Sequence, residues 1–452
     1  MFRFALLAAA LTFATATAQP PAAARKIDAG ERKAVIDGVL KEIEANYVFP
    51  DVGKKMAQAV RDREAKKEYD AITDGAEFAA TLTRHLRDVC KDKHLGVRYS
   101  PEPLPTSRGT GPSADDLKRA REGAALRNFG FKKVERLGEG VVGLLQLDGF
   151  MPAEWIGETA TAAFGFLANC DAVVIDLRKN GGGDPEAVIL LCSYFFDEST
   201  HLNSIYTRTT DTTRQYWSHP VVPGKKLVGK DVYVLTSERT FSAAEEFTYN
   251  LQSQKRATVV GETTGGGAHP TRGLPVTEHF GVRVPFARSV NPVTKTNWEG
   301  TGVKPDVPVP ADHALHTAHL LALKKAAEKH AGDKEKAAAI RREVETVQKE
   351  LDELKAKSKA ASDAAPKFAL GVMLEIGANG RVRIDGLVPG GAAEKGGLKV
   401  GDVLLKAGGK AFGAEPMSVL TPLLRSGEAI EFEVERDGKA QTITVRPAPR
   451  TE

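Results

Sequence analysis

The fold is decided by residues 232–270, which read VYVLTSERTFSAAEEFTYNLQSQKRATVVGETTGGGAHP. The apolar run Val232–Leu235 is typical of a buried strand, and the residues from Ala243 onward are good helix formers. A second apolar strand, Thr258–Gly261, follows that helix. Two strands joined through a helix are expected to pair in parallel, because a parallel connection needs a long crossover. The stretch therefore predicts one strand–helix–strand unit of an α/β fold.

Ser242 lies in this stretch at the junction of the first strand and the helix N-terminus. Free N–H groups and the helix dipole can stabilise developing negative charge at such a place. The hydroxyl is either a helix cap or a nucleophile. Serine followed by Ala-Ala-Glu also fits a capping box, and taken alone the pattern favours the cap. The choice depends on whether the rest of the chain supplies a base and an oxyanion hole.

The same alternation occurs upstream of this stretch. Val141–Leu147 predicts a strand, Pro152–Ala168 a helix, and Asp171–Leu177 a strand apolar enough to be buried on both faces. The last strand runs into Arg178–Asp184, RKNGGGD, and then into a helix over Pro185–Phe196. This order predicts a layered α/β core with a largely parallel central sheet.

The three consecutive glycines at 181–183 let the backbone turn sharply and expose its N–H groups. Such a loop binds an oxyanion or a phosphate, or is a plain tight turn. The phosphate interpretation is weak, because neither phosphate-binding glycine spacing is present.

The remaining regions have distinct compositions. Residues 30–90 carry apolar positions at helical spacing, and His94 stands where this helical region gives way to a strand. A single histidine at a helix end is more often structural than catalytic. Residues 311–361 predict a long charged helix or a helical hairpin, and residues 368–447 are compact and β-rich.

Composition and the N-terminus bound the class of protein. The 452 residues carry 63 basic and 59 acidic side chains, so the net charge of +4 gives no argument for nucleic acid or an anionic membrane. Arg3, the apolar run Phe4–Phe13 and the sequence Ala16-Thr17-Ala18 predict a secretory signal peptide, hence a secreted or periplasmic protein. No later run is long enough to span a bilayer. No cysteine stands near a histidine at ligand spacing, so we expect no metal, and no cofactor is indicated.

Five motifs in one order resemble the S41 peptidase family, which includes the tail-specific (C-terminal processing) proteases, the tricorn core and the interphotoreceptor retinoid-binding protein. The motifs are Lys93-His94, Asp176-Leu-Arg-x-Asn-Gly-Gly-Gly, Thr240-Phe-Ser-Ala-Ala-Glu-Glu-Phe, Gly261-Glu-Thr-Thr-Gly-Gly-Gly and Trp298-Glu-Gly-x-Gly-Val-x-Pro-Asp. The resemblance covers about residues 30–310. The helical N-terminus and Gly265–Pro270 are most similar to the retinoid-binding-protein branch. Residues 368–447 resemble a PDZ domain, here placed after the catalytic strands and not before them as in the processing proteases.

This resemblance implies a ClpP/crotonase-like layered α/β core with a mostly parallel sheet, together with smaller flanking domains. The expected organisation is a signal peptide at 1–18, an N-terminal helical subdomain at 19–105, an S41 peptidase core at 106–310, a charged helical linker at 311–366 and a PDZ domain at 367–448.

The resemblance also implies a mechanism. The processing branch pairs its serine with a lysine in the loop after the next strand, where this chain has Gly267. The nearest basic residues, Lys255 and Arg256, precede that strand, so a Ser–Lys dyad is not expected. The tricorn-like arrangement instead implies a nucleophile, a base and an orienting acid, which fall on Ser242, His94 and Glu299.

Further site residues follow from the same resemblance. The N–H groups of Gly182 and Ala243 would hold the tetrahedral oxyanion. Position alone makes His269 a rival base, since it follows the glycine loop after the Ser242 helix, but it ranks second to His94 because it matches no base in the peptidase branches. In the PDZ domain, the carboxylate-binding loop would be Leu370, Gly371 and Val372.

The expected function is an exported serine peptidase. It would cleave peptide bonds in protein or peptide substrates through a Ser-His-Glu arrangement, with the PDZ domain binding substrate C-termini. The alternative is a non-catalytic protein on the same fold that binds a lipid, another apolar ligand or a peptide. The sequence leaves the oligomeric state open.

Overall fold

The chain forms two compact units, Met1–Gln348 and Lys349–Glu452. A computed structural model describes residues 25–104, 113–377, 381–413 and 415–450. The predicted signal peptide, residues 1–18, lies outside the described residues. Within those ranges, no helix combines the length and the apolar character needed to cross a membrane.

Three helices and a short strand open the first unit, as the apolar spacing predicts. Their bounds are α1 Ala29–Asn46, α2 Pro50–Ala65, α3 Gly75–Cys90 and β1 Gly96–Tyr99. The side chains of Asp28 and Asp74 cap α1 and α3 by accepting backbone N–H groups of the first turn. The apolar core of this region also contains Phe280, Val282 and Val284, which come from far along the chain. The N-terminal helices therefore depend on a distant strand to complete their core.

The strands and helices of the α/β core follow in alternation. They are α4 Ala114–Ala125, β2 Phe131–Leu137, β3 Val142–Leu147, α5 Ala153–Leu167, β4 Ala172–Asp176, α6 Pro185–Cys192, β5 His201–Thr207, β6 Thr212–Trp217, β7 Asp231–Thr236, α7 Ala243–Ser253, β8 Thr258–Gly261, β9 Thr271–Pro275, β10 Phe280–Pro285, β11 Ala287–Val290 and β12 Val307–Pro308.

The central sheet has six strands in the order β12-β8-β7-β4-β3-β2. Every neighbouring pair is parallel except β2 with β3. In the register, Val174 lies opposite Tyr233, and Val234 lies opposite Val259. The mostly parallel sheet predicted from the strand–helix–strand order is confirmed. Because the carboxyl ends of parallel strands share one edge, the loops after β4, β7 and β8 meet there.

Helices cover both faces of this sheet. Residues of α5, α6 and α7 share one apolar core with sheet residues such as Val173, Ile175 and Val234. Helix α8, Ala314–Lys329, packs against β3, β4, β7 and β8. Helix α9, Lys334–Ala364, follows after a short turn, so residues 311–361 form two helices and not one long helix. Two smaller antiparallel sheets, β1-β10-β9 and β11-β5-β6, complete the first unit.

The second unit is β-rich, as predicted for a PDZ domain. Its elements are β13 Phe368–Ala369, β14 Val372–Ile376, β15 Val382–Leu387, α10 Ala392–Lys395, β16 Val403–Ala407, β17 Lys410–Ala411, α11 Pro416–Leu423, β18 Ile430–Arg436, β19 Lys439–Val445 and β20 Ala448–Pro449. The main sheet has the order β14-β15-β16-β18-β19, so β14 is an edge strand. Its apolar core includes Leu370, Ile384, Phe432 and Val445.

Candidate active site

Ser242 stands at the turn between β7 and α7 in an unusual backbone conformation. Its φ of 55° and ψ of −120° are those of the first central residue of a type II′ turn, a position that glycine normally fills. The Ser242 N–H donates to Oε2 of Glu245, as in a capping box, at 2.8 Å. The Ser242 hydroxyl faces the Glu245 N–H in this capping box, but the two do not form a hydrogen bond of normal geometry. The capping role is therefore weak, and the strained backbone is what sets this serine apart from an ordinary helix cap.

Glu245 links the turn at Ser242 to the glycine loop that follows β8 by accepting hydrogen bonds from both. Its buried carboxylate accepts hydrogen bonds from the Thr264 hydroxyl, from the Gly266 N–H at 2.7 Å and from the Gly267 N–H at 2.9 Å. Burial raises the pKa of Glu245, and these donors oppose the rise. With the bond to Ser242, four donors satisfy one carboxylate. The sequence pattern predicts only a capping role for Glu245.

The glycine turn after β4 is held against the serine by the fully buried Asn180. Its Nδ2 donates to the Leu147 carbonyl at 2.9 Å, its Oδ1 accepts the Gly182 N–H at 2.9 Å, and its carbonyl accepts the Phe241 N–H at 3.1 Å. A Cβ atom on Gly182 would stand 2.8 Å from the Cβ of Ser242, closer than side chains tolerate. Glycine is therefore required at position 182 by the close approach of the two backbones.

The N–H groups proposed for the oxyanion hole differ in their availability. The Ala243 N–H, at the start of α7, donates to no other residue of the described chain. The Gly182 N–H is engaged by Asn180. The neighbouring Gly183 also lines the cavity, and its N–H donates to no residue in the described ranges. Gly182 and Ala243 stay a prediction as the oxyanion donors.

A cavity of about 570 Å³ opens beside Ser242. Its walls include His94, His269, Glu246 and Arg283, together with backbone of the glycine loops. The His94 ring packs on Phe241, with ring centroids 4.6 Å apart. The structure thus brings Ser242 and both candidate histidines to one cavity, although they lie far apart in the sequence.

Two carboxylates accompany the two histidines. The Nδ1 of His269 lies 2.7 Å from Oδ2 of the buried Asp92, and Oδ1 of Asp92 accepts the His94 backbone N–H at 2.9 Å. Oε2 of Glu299 accepts the N–H groups of Ala268 at 2.6 Å and of His269 at 3.2 Å. Asp92 was not among the predicted site residues. The signal for it was weak: it stands two residues before His94 in the sequence.

His94 and Glu299 each keep one buried atom unsatisfied. Neither Nδ1 of His94 nor Oε1 of Glu299 has a hydrogen-bond partner among the described residues. A ring nitrogen of His94 and one carboxylate oxygen each of Asp92 and Glu299 lie within 4.8 Å of one another. Catalytic hydrogen bonds are often long without substrate, so this spacing is compatible with a histidine and its orienting acid. The same three side chains are also of types that bind divalent cations, and the expected absence of a metal stays a prediction.

Burial shifts the proton affinities of this cluster. It lowers the pKa of His94 to about 4, an effect to which His269 and Arg283 add and which Asp92 opposes. It raises the pKa of Glu299 to about 7, and the charge of Asp92 adds to the rise. His94 is therefore a neutral imidazole at pH 7, the form that accepts a proton.

The predicted peptide-binding loop lies at the start of β14 in the second unit. Leu370 is buried in the apolar core, and Gly371 has a φ of +75° with its carbonyl accepting the Val388 N–H at 2.9 Å. Val372 begins the edge strand β14. The role of these residues in binding a carboxylate stays a prediction.

Comparisons with known proteins agree with the motifs. Residues 141–309 match the family model described as Peptidase family S41, residues 29–122 match the N-terminal domain of Peptidase_S41 in eukaryotic IRBP, and residues 362–419 match the PDZ domain. The chain carries an S41 peptidase domain. The resemblance inferred from the five motifs is confirmed, as are the layered α/β fold and the C-terminal position of the PDZ domain.

Individual relatives of this S41 chain are distant. It is 24% identical over 316 residues to a probable CtpA-like serine protease of Staphylococcus aureus (strain COL), covering 61% of this chain and 60% of the relative. It is 30% identical over 122 residues to the carboxyl-terminal-processing protease of Synechocystis sp., covering 27% of each chain. The chain thus spans about three fifths of the length of the Staphylococcus relatives it matches.

Solved structures show a similar distance. A putative peptidase from Parabacteroides merdae has 19% identity and a TM-score of 0.46, covering 62% of this chain and 90% of that one. The photosystem II D1 C-terminal processing protease has 16% identity and a TM-score of 0.41, covering 62% and 94%.

Proposed function

We propose that this protein is a serine peptidase that cleaves peptide bonds in protein or peptide substrates. Ser242 is the nucleophile, His94 the general base and Glu299 the acid that orients it. One observation carries the proposal: a serine in a strained turn and a half-buried neutral histidine face one cavity, and a carboxylate with an unsatisfied oxygen lies beside that histidine. The relatives named as serine proteases support the same reaction class.

The groups act in a conventional acyl-transfer sequence. The Oγ of Ser242 attacks the scissile carbonyl carbon while His94 accepts the hydroxyl proton. Glu299 stabilises the imidazolium cation that results. The free N–H of Ala243, at the positive end of α7, holds the tetrahedral oxyanion. His94 then protonates the leaving amine, and a water molecule hydrolyses the acyl-enzyme by the same steps.

His269 is the second candidate for the base. Its Nδ1 already pairs with Asp92 at 2.7 Å, the arrangement that orients a catalytic histidine. We favour His94 because the resemblance of Lys93-His94 to the S41 motif implies a base at this position, and because its own Nδ1 has no partner among the described residues. In this assignment the Asp92–His269 pair positions the loop that holds Glu299.

The PDZ unit would select substrates by their C-termini. The edge strand β14 offers an unpaired side to which an extended peptide can add. The loop at Leu370, Gly371 and Val372 would then hold the peptide carboxylate. The N-terminal residues support export of the protein through a cleaved signal peptide.

The alternative, a carrier of an apolar ligand, fits the cavity poorly. Glu246 and Arg283 contribute charged groups to its walls, and an apolar ligand would leave them without partners.

A fluorophosphonate probe tests the proposal directly. It should label the wild-type protein at Ser242, and Ser242→Ala should lose both labelling and peptide hydrolysis while unfolding at an unchanged temperature. Ser253→Ala, at the far end of the same helix, is the matched control and should keep both. Turnover retained in Ser242→Ala would refute the nucleophile assignment.

A further inference from the structure

Glu246 is a buried acid on the same face of α7 as Ser242. The two residues are four positions apart, which places them one above the other on a helix. Only 6% of Glu246 is exposed, and that part lines the cavity beside Ser242. The mechanism above does not use this carboxyl group.

The hydrogen bonding of Glu246 is incomplete. Its Oε1 accepts the Nδ2 of Asn203 at 2.9 Å, while Oε2 accepts no hydrogen bond from any residue the structure describes. Burial is the main cause that raises the pKa of Glu246 to about 7. A carboxyl group that is almost fully buried is normally matched by several donors or by a cation.

No protein cation matches the charge of Glu246. Within the described chain, no lysine, arginine or histidine forms an ion pair with it, although Arg283 lines the same cavity. The charged neighbour that acts on it is another acid, Glu186, which raises its pKa further and is itself paired with Arg214 at 2.9 Å. A cation on a ligand that enters the cavity would supply the counter-charge that the ionised form of Glu246 lacks.

We propose that Glu246 is a specificity-determining residue that binds the lysine or arginine side chain of a substrate residue adjacent to the scissile bond. The inference rests on the peptidase function proposed above, since the scissile bond must lie at Ser242. A long basic side chain reaches the floor of a cavity of about 570 Å³ while its methylene groups contact apolar walls such as Ile205. Its cation then favours the ionised form of Glu246 and supplies the donors that Oε2 lacks.

The test compares peptides that differ at one position only. Lysine, arginine, norleucine, glutamine and glutamate are placed in turn on each side of a mapped cleavage site. Wild-type kcat/KM should be roughly 10- to 100-fold higher for lysine or arginine than for norleucine at one of the two positions. Glu246→Gln keeps an acceptor for Asn203 and should remove that preference, with kcat/KM for the norleucine peptide changed by less than about threefold.

Glu186→Gln is the matched control, because it removes the neighbouring acid outside the cavity. It should leave the preference for basic residues intact. A uniform loss across all peptides in Glu246→Gln, or a wild-type protein without any preference for a basic residue, overturns the inference. Thermal unfolding of each variant reports whether the fold is kept.

Binding in the Ser242→Ala background separates this inference from the peptidase function. Fluorescence anisotropy of the lysine and norleucine peptides is measured with and without Glu246→Gln. Selective binding without wild-type hydrolysis would contradict the peptidase and support the basic-residue subsite. Hydrolysis without selectivity would overturn the subsite alone, and failure of both measurements would overturn both.

Discussion

Acidic residues lie on two sides of the cavity, and different partners match their negative charges. On the histidine side, His94 and His269 line the cavity, and the carboxylates of Asp92 and Glu299 lie beside these imidazoles and accept backbone N–H groups. On the helix side, Glu246 has one amide donor and no cation. The first side can move a proton within the protein, whereas the second lacks a charge that a ligand can bring. Burial alone therefore does not determine the function of an acidic residue. The hydrogen-bond donors and charged groups around it determine that function.

Replacing the two histidines one at a time is the strongest test of the histidine side. We expect His94→Gln to lower kcat/KM by about 10²- to 10⁴-fold, since the general base is lost. His269→Gln should cost much less, because it removes a positioning contact with Asp92 and no proton acceptor. Both variants are compared in peptide hydrolysis and in thermal unfolding. The reverse order of losses would move the base to His269.

Lys255→Ala is the control for a lysine mechanism. Lys255 precedes β8 and does not line the cavity beside Ser242, so activity should stay at the wild-type level. A loss comparable to that of His94→Gln would restore a Ser–Lys dyad.

Glu299→Gln should lower kcat/KM by about 10- to 100-fold, a smaller loss than that of His94→Gln. The amide oxygen can still accept the N–H groups of Ala268 and His269, but a neutral group no longer stabilises the imidazolium. Glu262→Gln, which alters an acid outside the cavity, should have no such effect. Equal activity of Glu299→Gln and wild type would remove Glu299 from the mechanism.

The pH dependence of kcat/KM should follow the protonation of His94. A protonated imidazole cannot accept the serine proton, so activity falls as the pH drops through its pKa. Because burial lowers that pKa to about 4, the acid limb should lie well below the ordinary value of 6.5. The groups facing His94 include Asp92, His269 and Arg283, and Arg283→Gln should move the limb upward by removing a cation. Glu299, whose pKa is raised to about 7, can add a second limb in the wild type, so the assignment is tested in Glu299→Gln, where a limb at or above pH 6.5 would contradict it.

On the helix side, replacing Glu246 should have a smaller effect, which appears in the free energy of unfolding. The folded pKa of Glu246 lies above its unfolded value, so its contribution is present below about pH 4.5 and is lost as the pH rises through about 7. Glu246→Gln should therefore unfold like wild type at pH 4.5 and be more stable at pH 8.5, by up to about 3 kcal/mol. Its titratable neighbours, Glu186 and Cys192, are unchanged in the variant.

Glu245→Gln is the opposite case on the same helix turn. Its carboxylate accepts four donors, and a glutamine amide would present two hydrogens to N–H groups that need an acceptor. We expect destabilisation of about 2 kcal/mol at pH 8.5, measured by urea unfolding. A stabilised Glu245→Gln would erase the distinction between the two acids.

Local patterns in the sequence predict most of the fold. Strand β8 has the predicted bounds Thr258–Gly261, and β4 is within one residue at each end, because an apolar run closed by glycine or charge has few other solutions. The β5–β6 hairpin escaped prediction, since His201–Thr207 mixes polar and apolar residues without clear alternation. The antiparallel pairing of β1 with β10 was also not predicted, because no local sequence pattern specifies a strand partner so far along the chain.

The site divides in the same way. Ser242 and the glycine turn were visible because their chemistry is local to one strand end. His94 and Glu299 were found only through the family resemblance, and the pairing of Asp92 with His269 was not found. Such a contact joins two loops through tertiary packing. The spacing of the two residues along the chain does not predict it.

The backbone conformation at Ser242 lowers the stability of the protein while it holds the proposed nucleophile. A residue with a side chain is strained at a φ of 55° and a ψ of −120°, at a cost on the order of 1–3 kcal/mol, whereas glycine adopts these angles freely. Ser242→Gly should consequently resist heat better than the wild-type protein while being inert. Glycine is thus the better residue at this turn for stability alone, and the strain at Ser242 is a cost that only a role for its hydroxyl would offset.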